Sequence, residues 1–429
     1  MTAGLTACSG TETDNLGQIG AVQGFLGGVV ADEPRAVRTA RDVLSAGGTA
    51  ADAAVALYMT MTVTKPSVAG IGGGGVCIVH DRASKKIEVL DFWPRPGTRT
   101  APQQIQTAVP GVPRGLYALN ARYGRLQWGQ LVAGAEQQAR FGVPVSRSLA
   151  ADIESAHAQI AVSPLLSATY IRNGKLIGLG DRLEAINLGA LLTSLRVKGP
   201  GDFYNGALAS QIVNSVQAEG GTLTLDDLRQ YAPVWREAAS VKVGNEELYF
   251  ANPPRTGAGA PQVIGGGNDL SAMLDRYLAD IRQQGDNRAV GQGRSGFVVV
   301  DRNANAVACQ TTMNAPFGSG IGANAIGLNL ASGEAVAAQQ PLIGPALLVN
   351  PFVFEYRYGI AGSGTPAGAT KQIATIASDL IAANSVSGLA ANDNGLASVN
   401  VIRCLQGIPP HPESCEFVAD PAGFGMAGR

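Results

Sequence analysis

The stretch from Gly293 to Gly320, GRSGFVVVDRNANAVACQTTMNAPFGSG, most narrows what this chain can become. Gly296–Asp301 and Ala306–Met313 are rich in Val and Thr, as β-strands are. Between them Arg302-Asn303-Ala304-Asn305 is a short polar turn, with Asn suited to tight backbone angles. A Gly-rich loop follows the second strand. Hairpin partners run antiparallel, so an all-parallel sheet is excluded.

Around the hairpin the order of elements is helices, strands, then helices. Pro34 to Thr62 reads as helix broken near Gly47-Gly48, with Pro34 suited to a first turn. Val76–Asp81 and Lys86–Phe92 form an early hairpin, preceded by the run Gly72-Gly73-Gly74-Gly75. That run stands before a strand instead of after one, which is the wrong order for a dinucleotide loop. It reads as close backbone packing beside a cavity. Helices are expected at Arg114–Tyr123, Trp128–Phe141, Ser146–His157 and Asp202–Ala218, and Thr224 with Asp227 makes a capping box. Ser240–Ala251 is a strand pair, Pro253–Gly259 a loop and Leu270–Gln284 a helix. Asp286–Gly293 is polar and accessible to cleavage. Strands at Ala346–Asn350 and Phe354–Ala361 are followed by a helix at Ala367–Ala383. The expected fold is α+β, two mainly antiparallel sheets between helix layers in a four-layer αββα sandwich.

With 429 residues, 45% hydrophobic, the chain can bury one large core. Its net charge of −1 gives no reason to expect nucleic acid or an anionic membrane as partner. The three histidines, His80, His157 and His411, are far apart, and no Cys/His spacing suits zinc. Neither a metal, a cofactor nor a His-dependent triad is expected.

Cys404 and Cys415 flank CLQGIPPHPESC; they read either as a disulfide closing a short turn, which implies an oxidising compartment, or as two free thiols. Cys77 and Cys309 lie in apolar strands and read as small buried hydrophobes. Leu5-Thr6-Ala7-Cys8-Ser9-Gly10 is similar to a bacterial lipobox, which would lipidate Cys8, but the preceding basic residue and apolar stretch are missing. The match is either an anchor or chance. Residues 1–27 are assigned as an export or tether segment and 28–429 as one domain, with parts at 28–293 and 294–429.

Five segments together resemble the γ-glutamyltransferase (glutathione hydrolase) family, in the family's order. They are PRAVRTARDVLSAGGTAADAAVAL, KPSVAGIGGGGVCIVHD, VPGVPRGLYALNARYGRLQW, DFYNGALASQIVNSVQAEGGTLTLDDLRQYAPVWR and the hairpin at 293–320. The ending CLQGIPPHPESCEFVADPAGFG is similar to some bacterial members. The resemblance implies an N-terminal-nucleophile hydrolase. Such a precursor cuts itself before a Thr, giving two chains. The Thr hydroxyl then attacks a small γ-glutamyl amide with the freed α-amine as base, so no imidazole is needed. The acyl group passes to water or to an amino acid or peptide.

Carried over residue by residue, Thr312 falls where a second Thr supports the nucleophile and Asn314 where an Asn contacts the substrate α-amine. The nucleophile position falls on Arg294 and its neighbour on Ser295. A protonated guanidinium has no nucleophilic atom. Either Ser295 takes over, with cleavage after Arg294, or the chain stays uncut and inactive and binds a ligand or partner. The family's carboxylate-gripping Arg is matched by Arg95, shifted by about two positions. Its Ser-Ser pair falls on Pro341-Leu342, and Glu334 is a weak substitute for its amine-reading acid. The oxyanion-hole glycines appear as Gly364-Thr365 after Gly362-Ser363; backbone N–H donors need no particular side chain. The region 257–291 is shorter than in familiar members. Export to a periplasm or envelope is the implied location.

Overall fold

The computed structural model describes residues 24–100, 103–243, 245–251, 293–333, 344–364, 373, 397–419 and 424–429. The expectations at 1–23, 253–259, 270–284, 334, 341–342, 365 and most of 367–383 lie outside these residues.

Strand β1 (Gly27–Ala31) leads into α1 (Pro34–Ser45), where Glu33 caps the helix by accepting the Ala36 N–H at 2.9 Å. Gly47, at φ +85°, ends the turn after α1, a conformation glycine adopts without strain. Helix α2 (Ala50–Thr64) opens with a capping box between Thr49 and Asp52. All fifteen of its residues are buried, as expected of a central helix that is apolar on every side. The early hairpin is β2 (Gly74–Asp81) and β3 (Lys86–Phe92). Helices α3 (Val112–Tyr123), α4 (Trp128–Phe141), α5 (Arg147–Ser155), α6 (Ile186–Lys198) and α7 (Ala207–Ala218) follow. Gly206 splits the expected helix at 202–218, because its chain turns extended there (φ −100°, ψ −160°) between Gly201–Asn205 and α7.

The remaining strands are β4 (Val234–Glu237), β5 (Ala239–Val243), β6 (Glu246–Phe250), β7 (Arg294–Asp301), β8 (Ala306–Thr312), β9 (Ala346–Asn350), β10 (Glu355–Gly364), β11 (Ala397–Ile408), β12 (Cys415–Ala419) and β13 (Met426–Gly428). One sheet runs β4-β3-β2-β8-β7-β1-β13 and the other β12-β11-β10-β9-β6-β5, with every neighbouring pair antiparallel. The two meet through a single register pair, Arg294 opposite Gly364. The fold is the expected α+β sandwich.

Two cores flank the first sheet. Phe297 and Val299 of β7, with Cys77, Leu90 and Cys309, pack against α1 and α2. Val298 and Val300 face the other way and meet Leu347, Val349, Tyr356 and Ile402 of the second sheet. This is the two-residue pleat of a strand covered on both faces. Each aliphatic side chain buried this way contributes about 1.5–3 kcal/mol.

The glycine run works as backbone packing. A Cβ on Gly73 would lie 2.4 Å from the Thr312 carbonyl oxygen, and one on Gly74 2.2 Å from that of Phe92. The Gly73 carbonyl itself accepts the Gly111 N–H at 2.7 Å. Nearby, Ile71, Val63, Leu165, Leu188, Met313 and Phe317 help line a cavity of about 800 Å³.

Two disulfides are present among the described residues, Cys404–Cys415 between β11 and β12, and Cys77–Cys309 between β2 and β8. The second corrects the reading of Cys77 and Cys309 as unpaired thiols. They are buried, but they stand directly opposite each other in the β2–β8 ladder, which brings residues 232 positions apart to a Cα separation of 4.1 Å. In the hairpin turn the left-handed residue is Ala304 (φ +66°), neither of the two asparagines. The turn is held instead by Asp301, which accepts the Asn303, Asn305 and Ala50 N–H groups and so fastens it to the start of α2.

His80 is fully buried, bonded through Nδ1 to the Ala304 carbonyl and stacked on Phe354. Burial lowers its pKa from 6.5 to about 4. The unfolded chain therefore takes up this proton first as pH falls. Stability from the neutral imidazole is complete above about pH 6.5 and lost between 6.5 and 4, by roughly 3 kcal/mol at most. Denaturant titrations of wild type and His80→Gln across pH 4–7.5 test this. The wild type should lose stability more steeply below pH 6.5, and parallel profiles would refute the assignment.

Candidate active site

The start of β7 lies where the two sheets join, and several residues singled out in the sequence meet there. Arg294 stands opposite Thr312 on one side and Gly364 on the other, so its backbone is held in the sheet from both edges. Strand β7 begins two residues earlier than its composition suggests, because β8 and β10 pair with Arg294 and Ser295 whatever their propensities.

Following the pleat, Arg294 continues the series Val298 and Val300 into the space between the sheets. There its guanidinium lies 4.9 Å over the Trp93 ring, a residue of the inter-sheet core. Its Nη1 donates to Gln310 Oε1 at 3.4 Å, and Gln310 Nε2 donates to the Gly362 carbonyl at 3.0 Å. Burial lowers the guanidinium pKa to about 9, which still leaves it protonated at neutral pH.

Ser295 is fully buried, and its Oγ donates to Asp32 Oδ2 at 2.5 Å. Ser363 Oγ donates to the same oxygen at 2.5 Å and accepts the Gly296 N–H at 2.8 Å. Asn400 Nδ2 donates to Asp32 Oδ1 and to the Gly296 carbonyl, both at 2.8 Å. One buried carboxylate thus collects three side-chain donors from β7, β10 and β11. Charge-assisted bonds of this kind are roughly twice as strong as neutral ones.

Thr312 Oγ1 donates to the Gly293 carbonyl at 2.9 Å and accepts the Asn314 N–H at 2.8 Å. Asn314 takes a left-handed backbone (φ +61°) and its Nδ2 donates to the Ser332 carbonyl at 2.7 Å. Gly362, Ser363 and Gly364 form the end of strand β10, and Thr365 lies outside the described residues. Arg95 sits one ring further out. Its guanidinium is 5.5 Å from the centre of Tyr231, whose hydroxyl donates to the Trp93 carbonyl at 3.0 Å. Arg95 thus lies over Tyr231 and Arg294 over Trp93, two residues joined by that bond.

Asp32, Trp93, Gln310 and Asn400 escaped the sequence reading. Asp32 carried a usable signal, an acid directly after the buried run of β1. Gln310 is a polar residue facing the other sheet from an apolar strand. Asn400 and Trp93 had none, since only tertiary pairing brings them to β7.

The fold and this junction define a class, the αββα sandwich of two mainly antiparallel sheets between helix layers. The chain belongs to the γ-glutamyltranspeptidase family, whose model matches residues 36–268. It is 28% identical to glutathione hydrolase 3 of Arabidopsis thaliana over 365 residues, 69% of this chain and 57% of that protein. Against the glutathione hydrolase proenzyme of Escherichia coli it is 27% identical over 397 residues, 75% of this chain and 68% of the other. With Scoloptoxin SSD14 of Scolopendra dehaani identity is 30% over 244 residues, 53% of this chain and 42% of that protein. The chain thus spans about half the length of several curated relatives it matches. Its fold superposes on cephalosporin acylase from Bacillus halodurans with a TM-score of 0.75 at 17% identity, covering 99% of both chains.

Replacing Asp32 by Ala leaves three buried donors without an acceptor, each costing about 1–3 kcal/mol. Equilibrium unfolding in urea should show Asp32→Ala destabilised by roughly 3 kcal/mol or more, and Asp32→Asn by less. A loss under ~1 kcal/mol for Asp32→Ala would mean the cluster does not hold the sheets together.

Proposed function

We propose that this protein is a γ-glutamyltransferase-family member whose cleft takes small γ-glutamyl compounds or related amides and holds them without turnover. Arg294 carries the reading. At the family's nucleophile position stands a cation that keeps its proton at neutral pH, and a protonated guanidinium cannot attack a carbonyl. The chain therefore stays a single polypeptide. Export to an oxidising compartment, a periplasm or envelope, is part of the proposal, supported by the two disulfides. So is a lipid anchor at Cys8; a Cys8→Ser form that stays with the membrane fraction would remove it.

A second reading rests on the 2.5 Å contact between Ser295 Oγ and Asp32. Asp32 would take the hydroxyl proton while Oγ attacks the Arg294 carbonyl carbon. The peptide C–N bond breaks as the Arg294–Ser295 ester forms, and water hydrolyses that ester to an Arg294 carboxylate and a free Ser295 amine. Against it, Ser295 is fully buried and its hydroxyl is committed to Asp32.

Prolonged incubation of the purified chain, followed by a denaturing gel under reduction and by intact mass, separates the two. Reduction is needed because Cys77–Cys309 spans position 294 and would hold the halves together. One full-length band and no release of p-nitroaniline from γ-glutamyl-p-nitroanilide are expected. A fragment beginning at Ser295, or turnover above the blank, would overturn the first reading in favour of the second.

A further inference from the structure

The Arg294 side chain is a partly buried cation, and no acidic group among the described residues pairs with it. Its one hydrogen bond there is the long one to Gln310, and it makes none of the ion pairs present. Withdrawing a charge from water costs several kcal/mol unless an opposite charge or a full set of hydrogen bonds replaces the water. Three other arginines find more partners. Arg357 pairs with Glu246 and Glu355, Arg403 with Glu416, and Arg114 donates to the Leu228, Arg229 and Tyr231 carbonyls.

The surroundings of Arg294 orient the group without neutralising it. The Trp93 ring covers one face of the guanidinium plane, and a π-face attracts a cation without using its N–H donors. Gln310 is tied to the Gly362 carbonyl and marks one edge of the fork. Trp93 is fixed in turn, its N–H donating to Asp91 and its carbonyl accepting from Tyr231. A planar fork with one face stacked and most donors without a partner among the described residues matches a carboxylate, which accepts two parallel N–H bonds.

We propose that Arg294, backed by Trp93 and steered by Gln310, is a carboxylate-binding group of the cleft. The residue at the family's nucleophile position has become a recognition residue for a small carboxylate ligand. This deepens the reading of the cleft given above and rests on it for the ligand's γ-glutamyl character, although the carboxylate itself is read from the site. The lowered pKa fits a partly desolvated guanidinium.

Calorimetric titration of the intact protein with glutarate, L-glutamate, γ-glutamylglycine and the uncharged glutaramide tests it, in wild type, Arg294→Gln and Arg294→Lys. Wild type should bind the carboxylates at least tenfold tighter than glutaramide. Arg294→Gln should lose at least tenfold for the carboxylates and nothing for glutaramide, and Arg294→Lys should fall between, keeping charge without the fork. Thermal unfolding of Arg294→Gln should occur at or above the wild-type midpoint, since a partly desolvated charge is removed. If γ-glutamylglycine binds wild type and Arg294→Gln alike, the carboxylate site is wrong while the functional reading stands. Should glutarate bind through Arg294 and the γ-glutamyl compounds not bind at all, the site stands and that reading falls. Absence of any carboxylate binding at millimolar concentration overturns the proposal.

Discussion

Strand β7 is covered on both faces, and its pleat decides what every residue near the junction can do. Phe297 and Val299 must enter the helix-facing core, and Val298 and Val300 the core between the sheets. With those four fixed, Arg294 has to project between the sheets and Ser295 the other way. A one-residue slip would exchange them, but it would also drive each apolar side chain into the wrong core. The chemistry available at the strand start is thus set by hydrophobic register several residues downstream.

The junction is held by polar contacts where the cores end. Asp32 lies buried where the two sheets join and bonds donors from β7, β10 and β11. Its carboxylate is tolerable in the interior because both oxygens are occupied by donors from three strands. Arg294 is the contrasting case, a partly buried charge with an aromatic face and, among the described residues, one long hydrogen bond. The two lie in one neighbourhood, the first bonded by three strands and the second, among the described residues, only to Gln310.

The cavity of about 800 Å³ is a separate feature. Met313 touches it, while Arg294, Ser295 and Asn314 do not line it. Gly70 and Ile71 line it, while Gly73 and Gly74 of the same segment pack against the Thr312 and Phe92 carbonyls.

Much of the framework was legible wherever a local signal coincided with its final structure. The capping box of Thr224 and Asp227, the helix at Trp128–Phe141 and both hairpins follow from short-range hydrogen bonding and side-chain period. Strand β1, helix α6 and the Cys77–Cys309 bond did not show, since each depends on what packs against it. The candidate site divides the same way. The sequence by itself determined the family, the hairpin and the presence of Arg294 and Ser295 at its start, because motif order and local propensity are properties of neighbouring residues. Only the tertiary structure decided that Ser295 is committed to Asp32 and Arg294 to Trp93. Those partners are 263 and 201 positions away by residue number, and burial on both faces of β7 selects them.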